Sequence, residues 1–228
     1  MARTTKSLFT DGELERIAQA VRQAEAKTSG EIVPYFIERS DRYEEAVWRG
    51  AGLAALLVLI VFASLRFFTD LWIPIDSVEL ALLTIAAGGI GTVLVSTIAP
   101  LKRFFAGQDL IDHRVALRAA DAFIAEEVFK TRDRTGILIF LSLEEHKVLV
   151  VGDRGINEKV DRSEWEDVVA RIVRGINSGR PADGLVDAIV QCGALLERHG
   201  FKRRADDINE LPNRLRVGQK KGRRRKRS

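Results

Sequence analysis

The chain of 228 residues is poor in the residue types that build covalent and metal frameworks, with one cysteine and three histidines. Cys192 has no second cysteine with which to form an intrachain disulfide, and we therefore expect a reducing compartment. His113, His146 and His199 are scattered, and no two of them have the spacing of a metal-ligand pair. We expect each histidine to lie on the surface rather than to bind a metal.

Several phosphate-binding and catalytic motifs are also missing. The stretch "GDRGINEK" has glycines three apart and no Ser or Thr after its lysine, which argues against a Walker A loop. The spacing of Asp153, Gly155 and Asn157 does not fit an EF-hand. Cys192 and Arg198 have the Cys-x5-Arg spacing, but Cys192 lies on the apolar face of a predicted helix and not in a loop. The sequence also has no D-x-D-x-[TV] motif, so the residues alone give little support for phosphoryl-transfer chemistry. The N-terminal stretch "MARTTKSLFTDGELERIAQ" has no apolar core segment, and we expect no cleaved signal peptide.

Two long uncharged runs, residues 50–65 and 80–101, interrupt this charged sequence. The second is long enough to cross a hydrocarbon core of about 30 Å at about 1.5 Å per residue. The first reaches that length when its flanking aromatic residues are included. The sequence therefore predicts a transmembrane helical hairpin over residues 47–101, with spans at about 48–68 and 80–100. The alternative is a buried helical hairpin of a soluble protein.

The charges that flank the two runs predict their orientation. The connecting stretch "TDLWIPIDSVE" has three acidic residues and no Lys or Arg, whereas the outer flanks carry Arg39, Arg42 and Arg49 on one side and Lys102 and Arg103 on the other. The positive-inside rule places both outer flanks in the cytoplasm. We expect a multi-pass protein of the bacterial inner membrane with cytoplasmic N- and C-termini. Neither run contains a charged residue, which favours an anchor over an ion pathway.

The rest of the chain predicts a small α/β domain. Its predicted elements are a helix with a Thr10–Glu13 capping box, a strand over residues 31–38, a helix over 110–130, the strands "GILIFLS" and "KVLVVG", a helix with a Ser163–Glu166 capping box, and a helix that begins near Pro181. Pro34 lacks a backbone donor, so we expect the first strand to lie at an edge or to be bulged there.

A single strand cannot form a sheet, so the first strand must pair with the two later ones. The hairpin then interrupts one α/β domain, whose parts are residues 1–46 and 102–200. The expected fold class is α/β, with a small mixed β-sheet flanked by helices. A flexible basic tail is expected over residues 201–228.

The stretch "VGDRGINEKVDRSEW" carries the candidate site. Asp153, Asn157 and Glu158, together with Glu31 and Asp133 from neighbouring strand ends, would offer hard oxygen ligands to Ca²⁺ or Mg²⁺. The alternative, which the residue types favour, is a strand-to-helix turn in which two glycines permit the bend and the charged side chains are solvated.

The C-terminal "KKGRRRKRS" is strongly basic. Its cations are Lys220, Lys221, Arg223, Arg224, Arg225, Lys226 and Arg227. Because the whole chain has a formal net charge of +4, removing these seven leaves −3. We expect the tail to contact anionic lipid of the inner leaflet, with an acidic protein, RNA or solvent as alternatives. No aromatic residue interrupts the run, so it lacks a base-stacking platform and nucleic-acid binding is not expected.

The stretches "AEAKTSGEIVPYFIE" and "DRTGILIFLSLEEHKVLVVGDRGINEKVDRSEWEDVV" resemble the TPM domain. The resemblance covers about residues 10–40 and 115–198 and is most specific at residues 27–32, 136–142 and 152–156. It implies a small mixed sheet flanked by helices, often tied to membranes. It also implies links to phosphatase activity, to metal binding, and to the regulation or repair of membrane complexes.

Together, these features lead us to expect a non-catalytic role. The protein would bind a membrane protein complex as a regulatory or assembly factor. A weak metal-dependent phosphatase is the alternative.

Overall fold

The computed structural model describes residues 9–68, 74–204 and 210–218. Its helices are α1 (Asp11–Glu25), α2 (Glu44–Phe68), α3 (Ser77–Thr97), α4 (Ala99–Ala106), α5 (Gln108–Ala125), α6 (Arg154–Asn157), α7 (Arg162–Asn177) and α8 (Pro181–Arg198). Its strands are β1 (Glu31–Ile37), β2 (Gly136–Ser142), β3 (Lys147–Gly152) and β4 (Arg216–Val217). The chain divides into two compact units, residues 1–40 with 115–228, and residues 41–114.

Helix α1 begins with the predicted capping box. The Glu13 backbone N–H donates to Thr10 Oγ1 at 3.3 Å, and the Thr10 N–H donates to Glu13 Oε2 at 2.7 Å. This pair of hydrogen bonds satisfies two backbone donors that the first helical turn leaves open. The helix then buries one face, which includes Ile17, Val21 and Ala24, against the core.

The four strands form one mixed sheet in the order β3-β2-β1-β4. β1 runs parallel to β2, with Glu31 opposite Gly136, and β2 pairs antiparallel with β3 as the predicted hairpin. The fold class expected from the sequence, a small mixed sheet flanked by helices, is therefore confirmed. β4 pairs with only two residues of β1, Tyr35 and Phe36, and was not predicted.

The expectation that β1 lies at an edge is wrong, because β1 lies between β2 and β4. Its pairing with β2 is also continuous, without a bulge at Pro34. The Glu31 N–H points towards β2, where it donates to Thr135 O, whereas the Ile32 N–H points away and donates to the Glu25 side chain. By alternation, the nitrogen of Pro34 also faces away from β2, at a level that the short β4 does not reach.

Two predicted helix boundaries are also corrected. The helix expected over residues 110–130 ends at Ala125, and a 3₁₀ turn, Val128–Lys130, follows after Glu127 adopts a left-handed conformation with φ 57°. The capping box expected at Ser163 is wrong, because α7 begins two residues earlier: Asp161 is its N-cap, and the Asp161 N–H donates to Glu164 Oε2 at 3.3 Å. The two patterns overlap in sequence, and the structure uses the first.

Helix α8 begins at Pro181 as predicted, and its apolar stripe is fully buried. The stripe comprises Leu185, Ile189, Cys192 and Leu196. Burial raises the pKa of the Cys192 thiol to about 12, so this cysteine is an inert core residue. Gly200, with φ 79°, ends the segment in a conformation that favours glycine.

The sheet has a buried residue set on each face. On one face, Ile32, Phe36 and Ile139 belong to a continuous apolar core with α1, α7 and α8. The alternate residues of the strands, including Val33 and Phe140, are buried on the other face, where the Tyr35 ring stacks on Phe140 at a centroid distance of 5.6 Å. β1 and β2 therefore read as continuous apolar runs because they are covered on both sides.

The second unit contains the helical hairpin. Gly50 approaches Val95, and Gly91 approaches Ala54, so α2 and α3 run antiparallel. A Cβ on Gly91 would lie 2.9 Å from the carbonyl oxygen of Gly50, which shows how closely the two backbones pack. Helix α3 ends at Thr97, because Ile98 is extended, and Pro100 lies in the first turn of the next helix.

Candidate functional site

One end of the sheet brings together the residues that the sequence singled out. β1 and β2 begin at this end and β3 stops there, because Glu31 lies opposite Gly136 and Ile137 lies opposite Gly152. Glu31, the loop before β2 and the loop after β3 therefore lie side by side. This arrangement follows from one parallel and one antiparallel pairing within the same three strands.

Asp153 is the most buried of the predicted ligands, with an exposed fraction of 6%. It is the N-cap of α6, and its Oδ1 accepts a hydrogen bond from the Arg154 N–H at 2.7 Å. Its Oδ2 lies 3.0 Å from Nε of Arg134, in an ion pair without hydrogen-bond geometry. Asp153 thus ties the loop after β3 to the loop before β2.

The remaining loop residues close the turn. Asn157 Nδ2 donates to the carbonyl oxygen of Gly152 at 2.7 Å, and Glu158 is exposed and pairs with Arg154 Nε at 2.8 Å. Gly155 approaches the loop before β2 so closely that a Cβ would lie 2.7 Å from Asp133 O. A glycine is required at this position because any side chain would meet backbone atoms.

Glu31 and Asp133 turn towards the segment that follows α8. The Glu31 carboxylate accepts hydrogen bonds from the backbone N–H groups of Glu210 at 3.1 Å and Leu211 at 3.3 Å. Asp133 Oδ2 lies 3.4 Å from the Arg204 guanidinium. All five predicted ligands thus lie at the end of the sheet where β1 and β2 begin, and each has a partner within the protein. Within the part of the chain that the structure describes, no three His, Cys, Asp or Glu side chains are grouped to hold a metal ion. Binding of Ca²⁺ or Mg²⁺ stays a prediction.

Glu25 was missed by the sequence reasoning. It is the last residue of α1, is 8% exposed, and accepts a hydrogen bond from the Ile32 N–H at 2.8 Å and another from Asn213 Nδ2. Burial and, next, the neighbouring Glu31 carboxylate raise the pKa of Glu25 from 4.5 to about 8. The sequence did carry a signal, because Glu25 continues the α1 stripe four residues after Val21.

A groove of about 680 Å³ opens at the opposite end of the sheet, where β1 and β2 finish. Its walls are mainly apolar and include Phe9, Phe36, Leu141, Val148, Val173 and Ile176. The carboxyl ends of strands in open α/β sheets are common ligand positions. This groove is therefore the second candidate site of the domain.

A buried polar network fixes one wall of the groove. Ser142 Oγ donates to Glu145 Oε2, and Oγ of Ser40 lies 2.7 Å from Oγ of Ser142. The Ser40 N–H also donates to Glu145 Oε1 at 2.9 Å. Glu145 is only 4% exposed, so the polar turn between β2 and β3 is anchored to the end of β1 rather than solvated.

Comparison with known proteins agrees with this architecture. Residues 92–195 match the family model of the TPM domain. The fold is similar to the NMR structure of the BA42 protein from the psychrophilic bacterium Bizionia argentinensis, with a TM-score of 0.57 and 22% sequence identity over 95% of this chain and 100% of that chain. No curated protein matches the sequence.

The molecule is therefore a mixed α/β domain in which helices flank a four-stranded sheet. The chain contains a TPM domain, matched over residues 92–195.

Proposed function

We propose that this chain is an integral membrane protein whose cytoplasmic TPM domain binds a membrane protein complex as a regulatory or assembly factor. The observation that carries the proposal is the coexistence of a lipid-like hairpin surface and an open apolar groove in one chain. The hairpin supports the location, and the groove supports the binding role.

The two hairpin helices support membrane insertion by their length and their surface. α2 has 25 residues and α3 has 21, which at about 1.5 Å per residue is about 37 Å and 31 Å. The most apolar windows of the two helices are 0% and 11% buried, so their large side chains face outwards. An exposed apolar surface of this extent is costly in water and favourable in lipid.

Polar groups within the hairpin are satisfied in a way that suits lipid. The hydroxyls of Thr84 and Thr92 donate to the carbonyl oxygens of Leu80 and Gly88, one turn earlier. Gly50 and Gly91 at the contact between α2 and α3 let the two backbones pack closely. Such close packing stabilises helix pairs in lipid, where no hydrophobic driving force acts between them. The positive flanks support a cytoplasmic TPM domain in a bacterial cell, with both termini on the same side.

The binding role is supported by the contrast between the two ends of the sheet. At the end that carries Glu31 and Asp153, the acidic side chains hold neighbouring loops together. At the other end, an apolar groove lies open, with exposed fractions of 37% for Val173 and 40% for Ile176 on its rim. Partially exposed apolar side chains around a concavity are typical of a binding surface.

Affinity capture of the full-length protein in mild detergent tests this proposal, with a variant truncated after residue 219 as the comparison. We expect the same membrane protein to co-purify in repeated captures, and we expect truncation to weaken attachment to anionic membranes. The alternative, a weak metal-dependent phosphatase, would replace the proposal if no partner co-purified and the pure protein hydrolysed p-nitrophenyl phosphate with Mg²⁺ in a reaction abolished by Asp153→Ala.

A further inference from the structure

A second cleft, of about 580 Å³, lies at the turn between α7 and α8. Gly175 and Gly184 let the two helices meet here, because a Cβ on Gly175 would lie 2.5 Å from the Gly184 Cα. This contact places the end of α7 beside the start of α8. Arg171 and Arg174, which are three residues apart on α7, line the cleft together with Arg180 from the turn.

The three arginines have no acidic partner within the described part of the chain. Asp183 lines the same cleft, but it is paired with Arg16 at 2.7 Å. Nε of Arg171 is buried and has no hydrogen-bond acceptor. Several other arginines of the domain have acidic partners, as Arg134 does in Asp153 and Arg216 in Glu126. A buried guanidinium donor without an acceptor is costly, and an anion would relieve that cost.

The charge of the cleft can be counted. Three arginines contribute +3, Asp187 contributes −1, and Asp183 is neutralised by Arg16, which leaves +2. The cleft therefore complements a ligand with at least two negative charges. Planar guanidinium groups pair especially well with carboxylates, to which they can donate two parallel hydrogen bonds.

The arginine cleft adjoins the apolar groove. Asn177 lines both, and along α7 the groove residues Val173 and Ile176 alternate with Arg174 of the cleft. A ligand seated at the end of α7 would thus meet an apolar surface on one side and unpaired positive charge on the other. The groove offers such a ligand apolar contacts and the arginine cleft offers it positive charge, so the two cavities together complement both of its faces.

We propose that the groove and the arginine cleft together form one docking site for an acidic, amphipathic segment of the protein partner. Its apolar side chains would lie against Val173 and Ile176, and its carboxylates would pair with Arg174 and Arg180. This inference rests on the proposed binding function and specifies the chemistry of the partner. Charge complementarity carries the choice of an acidic segment, because the three arginines and Asp187 leave the cleft with a net charge of +2.

Fluorescence anisotropy with the full-length protein in detergent tests the docking site. The probe is a fluorescein-labelled peptide of three apolar residues followed by three glutamates. Two control peptides replace either the glutamates with lysines or the apolar residues with glycine and serine. We expect the probe to bind at least about tenfold more tightly than either control.

Matched variants locate the binding. We expect the double variant Arg174→Gln/Arg180→Gln to weaken binding of the probe about fivefold, since two exposed ion pairs are lost. Ile176→Gln should weaken it by a similar factor, since apolar contact is lost. Arg162→Gln, at the other end of α7, and Val190→Gln, an exposed apolar position on α8 outside the groove, should leave it unchanged. Far-UV circular dichroism checks that every variant is folded.

Three outcomes would overturn the docking inference. The first is equal binding by all variants. The second is equal binding of the glycine-serine peptide together with displacement by inorganic phosphate, which would indicate a simple oxyanion site. The third is undiminished capture of the same membrane partner by the groove and arginine variants; the proposed binding function would then stand while this site for it would fail. Absence of any partner for the unaltered protein would instead contradict the proposed function itself.

Discussion

Glu25 predicts a specific dependence of stability on pH. Its pKa is about 8 in the folded protein and 4.5 for the ordinary group, so folding favours the protonated form. The stabilisation is therefore fully present below about pH 4.5 and is lost as the pH rises through about 8. Glu25→Gln mimics the protonated carboxyl and should remove this dependence.

The magnitude follows from linkage. Between about pH 5 and pH 8 the shift corresponds to about 3–4 kcal/mol, at about 1.4 kcal/mol per tenfold change in proton affinity. This is a ceiling, because local opening near Asn213 would hydrate the carboxylate and relieve part of the cost. At about 2–4 °C per kcal/mol for a chain of this size, the unfolding midpoint should fall on the order of 5–10 °C.

Thermal unfolding followed by circular dichroism, in detergent and with EDTA present, measures this effect. The unaltered protein should lose stability between about pH 5 and pH 8, and Glu25→Gln should be the more stable of the two at the higher pH. Glu15→Gln, at an exposed position of the same helix, is the matched control and should retain the slope of the unaltered protein. A flat or rising midpoint for the unaltered protein, with Glu25→Gln parallel to it, would refute the reasoning.

Three further predictions concern the hairpin, the loop after β3 and the tail. Gly91→Leu should separate α2 from α3 and destabilise the hairpin by about 1–3 kcal/mol, seen as earlier unfolding in detergent, whereas Gly89→Leu should be tolerated because a Cβ there meets nothing within 4 Å. Asp153→Ala should lower the stability of the protein by about 1–2 kcal/mol through loss of the N-cap and the pairing with Arg134, and Glu158→Gln should lower it by less than about 0.5 kcal/mol. If the ion-binding prediction is correct, both variants should also bind Ca²⁺ or Mg²⁺ more weakly in calorimetric titration. A titration without heat for the unaltered protein would contradict that prediction. Truncation after residue 219 should abolish salt-sensitive binding to vesicles containing anionic lipid beyond that given by the hairpin; equal binding of both proteins would count against lipid contact by the tail, whose residues lie outside those that the structure describes.

Local signals in the sequence were sufficient for much of the fold. The Thr10–Glu13 capping box, the hairpin of β2 and β3, and the buried stripe of α8 each depend on neighbouring residues, and each is confirmed. The start of α7 was missed because "DRSEWE" contains two overlapping capping patterns. In the structure the helix begins after Asp161, and the first of the two patterns is used.

Long-range contacts could not be predicted from the sequence. β4 has two residues and no periodicity, and it pairs with β1 across more than half the chain. The docking of Glu210 and Leu211 on Glu31 is a backbone interaction, which residue types do not reveal. The arginine cleft likewise depends on the Gly175–Gly184 contact between two helices. The predicted ligands do share one end of the sheet, but the hydrogen-bond and ion-pair partners of each could be identified only from the structure.

The orientation of the hairpin in a membrane is the central claim, and labelling of single introduced cysteines in intact spheroplasts tests it most directly. Cys192 is fully buried and its pKa is about 12, so the native thiol should not react. A membrane-impermeant maleimide should label Pro74→Cys, before α3, from outside, and should label Arg162→Cys, on α7, only after permeabilisation. Protection of Pro74→Cys in intact spheroplasts, or labelling of Arg162→Cys from outside, would contradict a membrane hairpin with a cytoplasmic TPM domain.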